Sequence, residues 1–162
     1  MTKLKYIALA LVVILIVTGY FVTHRDQGTD EAQIVATIDR GQEAIREKNL
    51  SKAMSCISSN YKDENGYNYD RIRLFGVEIF RSEADYNIKV TTPQIKVNGN
   101  DAVAVAKVGV TVGGGGGSSI YPTREITLRL KKEPVRRLLI YKVPEWKVIS
   151  MENAVPMMDM GI

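Results

Sequence analysis

Hydrophobic positions along this chain follow three patterns in succession. Residues 6–23 form an apolar run without a single charge. From about residue 30 to residue 81, apolar residues recur at helical spacing, which is typical of helices that bury one face. From about residue 85 to residue 152 they alternate with polar residues, which is typical of strands. The order predicts an apolar segment, then helices, then a sheet.

The apolar run is long enough to cross a membrane. As a helix, residues 6–23 would extend about 27 Å, close to the thickness of the hydrocarbon layer. Lys3 and Lys5 precede the run, which favours a cytoplasmic N-terminus and export of the rest of the chain to the periplasm or the cell exterior. Two fates stay open. The segment is either a single-pass anchor or a signal peptide that is cleaved near residues 17–19 to release a secreted protein.

The helical region divides into three predicted helices, over residues 30–49, 51–59 and 69–81. Ile34, Ile38 and Ile45 form the inner face of the first helix. Asp30 and Ser51 are the candidate N-caps of the first and second helices, because short polar side chains there accept hydrogen bonds from the first turn.

The alternating region contains five candidate strand segments: "DYNIKVTTPQIKV", "AVAVAKVGVTV", "REITLRLKK", "VRRLLIYKV" and "EWKVISME". "NGND" at 98–101 is a hairpin-turn signal. Helices followed by a meander predict an α+β fold, in which three helices pack on a curved antiparallel sheet of four to five strands. The predicted units are a signal anchor or transmembrane helix (1–23), a linker (24–29), the α+β domain (30–153) and a flexible tail (154–162).

The glycine run "VGGGGGSS", residues 112–119, raises the question of a phosphate site. A P-loop needs a lysine after the glycines and a helix behind it. No lysine follows here, and "SSIYPTREITLRL" has the pattern of a strand. The glycines are therefore predicted to form a long, mobile hairpin loop.

Composition excludes a disulfide framework and a Cys/His zinc site. The chain has 162 residues, one cysteine (Cys56) and one histidine (His24), so neither an internal disulfide nor a Cys/His zinc site can form. "DENGYNYD" resembles part of a calcium loop, but the EF-hand register would place Tyr61 first and Ile72 twelfth, where acidic ligands are required. No metal and no cofactor are predicted.

The order and spacing of these segments resemble the nuclear transport factor 2-like superfamily, a cone-shaped, cystatin-like α+β fold. The resemblance rests on "IVATIDRGQEAIREKNLSKAMSCIS", "YKDENGYNYDRIRLFGVEIF", "IKVTTPQIKVNGNDAVAVAKVGV" and "EWKVISME", which look like its helix pair, third helix, first long hairpin and closing strand. The chain departs by an insertion, "PVRRLLIYKVP", that either lengthens a hairpin or adds a surface element. Some bitopic subunits of bacterial secretion systems are similar in layout.

The resemblance implies a cone between sheet and helices, used in different members for catalysis, ligand binding or assembly. The candidate pocket residues are apolar or aromatic: Ile38, Tyr61, Phe75, Ile79 and Trp146. Enzymes of the superfamily use Asp, Tyr or His inside the cone. His24 lies outside the domain, which leaves an Asp–Tyr pair drawn from Asp39, Tyr61, Tyr67 and Tyr69.

A basic stretch, residues 124–147, contains eight Lys or Arg residues and three Glu residues. It is either a solvated sheet surface or a surface that attracts anionic lipid headgroups or an acidic partner. The candidate surface residues are Arg129, Lys131, Arg136 and Arg137. Nucleic acid is not an expected partner, because no stacking aromatic platform accompanies the charges.

The sequence thus favours a membrane-tethered, exported, non-catalytic module that binds a protein partner or a second copy of itself. Tethering suits association because it raises the effective concentration of the partners. The alternative is an exported protein that captures a small apolar ligand in the cone. A small enzyme of the lyase or isomerase type is the third interpretation.

Overall fold

The computed structural model describes residues 28–114, 117–137 and 141–153. They form three helices and five strands: α1 Asp30–Arg46, α2 Leu50–Ser55, α3 Tyr69–Arg81, β1 Asp85–Val90, β2 Gln94–Asn98, β3 Asp101–Gly114, β4 Gly117–Arg137 and β5 Tyr141–Glu152. The predicted order of three helices and then an antiparallel sheet is confirmed. The predicted span over 6–23 and the tail over 154–162 lie outside the described residues. Within the described part of the chain, no helix is long and apolar enough to cross a membrane.

The five strands form one curled antiparallel sheet, a half-barrel with the order β1-β3-β4-β5. The sequence run 85–97 has the pattern of one strand but forms two, β1 and β2, because Pro93 lies in the break between them and has no N–H to donate. Both pair with β3, β2 along residues 101–105 and β1 along residues 108–113. The predicted turn at 98–101 is confirmed, and Gly99 there has a φ of 62°.

The helix caps differ from those predicted. The hydroxyl of Thr29, rather than the carboxylate of Asp30, accepts the capping hydrogen bond of α1, from Ala32 N at 3.3 Å. The side chain of Asn49 caps α2 by accepting from Lys52 N at 3.0 Å, which displaces Ser51 from the cap to a helical position. The first helix therefore ends at Arg46 and not at Asn49.

The second helix is shorter than predicted, because the chain after Ser55 turns to pair with β5. Ser58 N donates to Val148 O at 2.9 Å, and Val148 N donates to Cys56 O at 2.9 Å. The free edge of β5 is thereby closed by a short parallel bridge between Ile57 and Val148. Residues predicted to be helical, 56–59, instead serve as a cover for the edge strand.

The glycine run is a hairpin, as predicted, but the long loop is not observed. Strand pairing continues from Val112↔Ser119 to Gly114↔Gly117. Glycine fits this position for a packing reason, since a Cβ on Gly114 would lie 3.3 Å from Cα of Ala84. Strand rather than helix follows the glycines, so the exclusion of a P-loop stands.

The inserted segment lengthens a hairpin. β4 continues through Pro134 and β5 through Pro144, and the two prolines lie directly opposite each other. Beyond the pair Lys132↔Trp146, the strands extend as far as Arg137↔Tyr141. We refer to residues 133–137 and 141–145 as the β4–β5 arm.

The hydrophobic core lies between α1 and the inner, concave face of the sheet. Its buried members are Ile34, Ile38, Tyr61, Ala102, Ala104, Leu128, Leu130, Trp146 and Val148. α1 crosses this face from β5 to β1. Midway along the helix Thr37 Oγ1 donates to Trp146 O at 3.4 Å, and closer to its C-terminus Gln42 Oε1 accepts from Val90 N at 3.3 Å.

Candidate functional site

The inner face of the sheet divides into two halves along β3. In the first half, Ala102, Ala104 and Ala106 are buried. We call this half, together with Leu128 and Leu130 on β4, the covered half. The same face of β3 continues with three valines that are only half-buried.

We call the continuation of this face the open half. It consists of Val108, Val110 and Val112 on β3, with Tyr86 and Ile88 of β1 opposite them. All five side chains are half-buried. The open half therefore presents apolar side chains on a concave surface, the kind of lining that binding sites use.

Helix α3 is joined to the open half at its C-terminal end. The hydroxyl of Ser82, directly after α3, donates to the hydroxyl of Tyr86 at 3.5 Å. At the other end Tyr69 and Ile72 pack against the core. All thirteen residues of α3 are described and none is buried. Leu74 is 64% exposed.

The five predicted pocket residues separate into two groups. Ile38, Tyr61 and Trp146 come together in the packed core, each at most 9% exposed. Phe75 and Ile79 lie on α3 and are half-buried. The ring of Phe75 meets Tyr67 edge to face, with centroids 5.4 Å apart.

The one buried carboxylate among the described residues belongs to Asp63. Its Oδ1 accepts from the backbone N–H groups of Asn65 and Tyr67, both at 2.9 Å, and its Oδ2 accepts from the Tyr61 hydroxyl at 3.1 Å. Burial, with the Asp63 carboxylate beside it, raises the pKa of the Tyr61 phenol. Asp63 is thus the acceptor that shapes the 63–67 turn. The Asp–Tyr pairing proposed with Asp39 is not observed, because Asp39 is exposed on α1.

A second network joins the first turn of α1 to the base of the β4–β5 arm. Lys132 Nζ lies 2.5 Å from Asp30 Oδ1, which also accepts from Trp146 Nε1 at 3.2 Å. The ammonium of Lys132 stands 5.4 Å from the centre of the indole ring. The hydrogen bond from Lys132, and then that from Trp146, lowers the pKa of the Asp30 carboxyl. Sequence reasoning missed this network because Asp30 is 102 positions from Lys132 and 116 positions from Trp146.

The predicted basic surface is divided between the two faces of the sheet. Strand alternation places Arg129 and Lys131 on the outer face, and Arg136 on the same face as Leu130 and Lys132. Arg129 Nε pairs with Glu152 Oε1 at 2.5 Å. For Arg137 the structure describes only the backbone pairing with Tyr141.

One lysine of the basic stretch is buried, contrary to expectation. Lys147 is 8% exposed and lies 3.0 Å from Glu145 Oε2, and its ammonium also donates to the carbonyl of Ser55. Beside it, the Ser58 hydroxyl donates to Glu133 Oε1 at 2.8 Å. These contacts fix α2 and the segment after it to β4 and β5. Glu145 and Lys147 lie two positions apart on β5, so they share one face of the strand. This spacing was the sequence signal from which their ion pair could have been predicted.

The described residues also form a surface depression, but they contain no metal-binding cluster. An open depression of about 500 Å³ lies at the glycine hairpin, lined by Glu83, Ala84, residues 112–114 and residues 117–119. Within residues 28–114, 117–137 and 141–153, no cluster of His, Cys, Asp and Glu could hold a metal ion.

Comparison with known proteins supports the fold. No family model matches the chain, and no curated protein matches by sequence. Among solved structures, a nuclear transport factor 2-like superfamily protein from Salmonella enterica serovar Typhimurium is 17% identical, with a TM-score of 0.60 over 78% of this chain and 90% of that chain.

Two other solved structures share the architecture. A protein of unknown function with a cystatin-like fold from Nostoc punctiforme is 11% identical, with a TM-score of 0.51 over 79% of this chain and 95% of that chain. A protein from Catenulispora acidiphila, solved in complex with S-DNPA, is 12% identical, with a TM-score of 0.59 over 74% of this chain and 88% of that chain. This chain therefore has the nuclear transport factor 2-like, cystatin-like α+β fold.

Proposed function

We propose that this chain is a non-catalytic binding module, held at a membrane by residues 6–23, whose exported domain associates with a protein partner or a second copy of itself. The observation that carries the proposal is the incomplete burial of α3. Six large apolar residues occupy this helix: Ile72, Leu74, Phe75, Val77, Ile79 and Phe80. None of them is buried, and an apolar helix face normally gains its stability by burial against another surface.

The arrangement of the acidic groups argues against catalysis. A general base needs a carboxylate that is free to take a proton. Oδ1 of Asp63 accepts the hydrogen bonds that shape the 63–67 turn, and Oδ2 accepts from the Tyr61 hydroxyl. Asp30 is held in its ionised form by Lys132 and Trp146, with its pKa lowered, so it is a poor base at neutral pH.

Capture of a small apolar ligand is the second candidate function. The open half of the inner face and the half-buried side chains of Phe75 and Ile79 on α3 favour it. A neighbour with this fold was solved in complex with S-DNPA. Leu74 distinguishes the two candidates, since it is exposed on α3 whereas Phe75 and Ile79 are half-buried there.

Native mass spectrometry of the full chain, extracted gently from its membrane, tests the proposal. We expect a dimer or a complex with a second polypeptide, lost in Leu74→Gln and retained in Arg73→Gln, its exposed neighbour on α3. A monomer with a few hundred daltons of added mass, lost in Ile79→Asn but kept in Leu74→Gln, would assign the chain to ligand capture instead. A bare monomer would contradict both.

A further inference from the structure

The β4–β5 arm has one cationic face, and we propose that this face contacts an anionic lipid surface through Arg136 and Lys142. The two residues are directly opposite each other in the strand register. Both are exposed. Like charges placed opposite each other in a sheet disfavour the pairing, so the protein alone gains nothing from this arrangement.

Strand alternation separates the charges of the arm. Arg136, Lys142 and the two prolines share the face that continues from Lys132 and Trp146. The carboxylates of Glu133 and Glu145 lie on the opposite face, where Ser58 and Lys147 engage them. Within the described part of the chain, neither Arg136 nor Lys142 forms a salt bridge. The arm therefore presents positive charge without internal compensation on one side.

The base of the arm is fixed to the point where the chain enters the domain. Lys132 and Trp146 both bind Asp30, the first residue of α1. A linker of six residues before Asp30 spans at most about 20 Å. Four residues of strand carry Arg136 about 13 Å beyond Lys132. The reach of the arm is thus comparable to that of the linker, so a domain tethered through residues 6–23 can place Arg136 and Lys142 at the headgroups.

A lipid surface fits these observations better than an acidic protein does. Basic residues near a tethering segment are attracted to anionic lipids within a Debye length of the surface. The proposal rests on Arg136 and Lys142 alone, and it uses the membrane tether proposed above for its geometry.

Energy transfer from Trp146 tests the contact, because Trp146 is the only tryptophan of the chain and lies at the base of the arm. The full chain is reconstituted into vesicles of phosphatidylcholine, with or without one third phosphatidylglycerol, that carry dansyl-labelled headgroups. We expect the anionic vesicles to favour the contacting orientation by about 30-fold. Transfer should rise accordingly and fall again at high salt.

Two double variants show which face makes the contact. Arg136→Gln with Lys142→Gln should reduce transfer in anionic vesicles to its level in neutral ones, without lowering the thermal midpoint. Arg129→Gln with Lys131→Gln removes the same charge from the outer face and should leave transfer unchanged. Equal transfer in both lipids, or loss only in the outer-face variant, would overturn the proposal.

Flotation separates failure of the arm from failure of the tether. An anchored chain floats with neutral and anionic vesicles alike, so equal transfer in chains that float would contradict the arm alone. A chain that does not float with neutral vesicles contradicts the tether. In that case the arm alone must make the chain float with anionic vesicles. The double variant Arg136→Gln with Lys142→Gln must then abolish this flotation. If the double variant floats as well as the unmodified chain, the proposal is overturned.

Discussion

The two halves of the inner face differ in side-chain size along a single strand. Ala102, Ala104 and Ala106 allow Ile34 and Ile38 of α1 to join a packed core. The next three residues on this face of β3, at positions 108, 110 and 112, are valines, and they stay half-buried. Small residues under a helix allow close approach and dense packing, and the larger residues beyond it are left without a complete cover.

Helices α1 and α3 differ in how many buried residues they contribute. α1 contributes Ile34, Thr37, Ile38 and Ala44 to the buried residues, whereas α3 contributes none. We infer that one half of the domain supplies stability and that the other half is available for binding. Regions that bind or move are drawn from the less stable part of a protein, because their surfaces need an additional partner.

Truncations to alanine are expected to give the largest difference in stability between the covered half and the open half. Leu130 is fully buried, so Leu130→Ala should lower the free energy of unfolding by about 3 kcal/mol, through lost transfer energy and the cavity left behind. Val110→Ala in the open half should cost about 1 kcal/mol or less. Urea unfolding measures both values, and equal losses would remove the distinction between the halves.

Enlarging a side chain should separate the halves in the opposite way. Ala104 is fully buried beneath α1, and Ala104→Leu should destabilise the domain by about 2 kcal/mol through overpacking. Val110→Leu should be tolerated, with a change within about 0.5 kcal/mol, because the open half has room. Thermal unfolding of the pair provides the comparison, and a tolerated leucine at position 104 would contradict close packing under α1.

The network at the start of α1 predicts a pH dependence. Lys132 and Trp146 lower the pKa of Asp30 in the folded state. The ionised carboxylate therefore contributes stability that is fully present above about pH 4 and is lost as the pH falls through the lowered pKa. Asp30→Asn should cost at most about 1 kcal/mol at neutral pH and should flatten this part of the acid profile. An unchanged slope below about pH 4 would exclude the network as its source.

The smallest effect is expected on the exposed side of α3. Leu74→Gln should change the free energy of unfolding by less than about 0.5 kcal/mol, because Leu74 is 64% exposed. The same variant is expected to lose the partner, so stability and association are measured on one protein. A loss above about 1 kcal/mol would show that Leu74 belongs to the core of the domain.

Local patterns predicted the parts of the fold that depend on neighbouring residues. The bounds of α3, the turn at Gly99 and the inner residues of β3 follow from periodicity and turn chemistry. The end of α2 could not be predicted, because it is set by Ser58 and Val148, which are far apart in the sequence. The continuation of β4 through Pro134 likewise depends on its partner, Pro144.

The candidate site was predictable to a smaller extent. Apolar spacing placed Phe75 and Ile79 among the candidate pocket residues, which stays a prediction. It could not distinguish them from Ile38 and Trp146, which are core residues with the same pattern. Charge counting treated Lys147 as part of a surface, although Glu145 and the Ser55 carbonyl hold it in a buried position. Burial depends on long-range packing, and composition alone does not report it.

Hydrogen exchange of the full chain, alone and in its membrane-extracted complex, tests the central claim most directly. In the chain alone, we expect the amides of α3 to exchange roughly 10-fold or more faster than those of α1. In the complex, α3 should become protected while α1 stays unchanged. Equal protection of α1 and α3 in the chain alone, or no added protection of α3 in the complex, would contradict the assignment of α3 and the open half to binding.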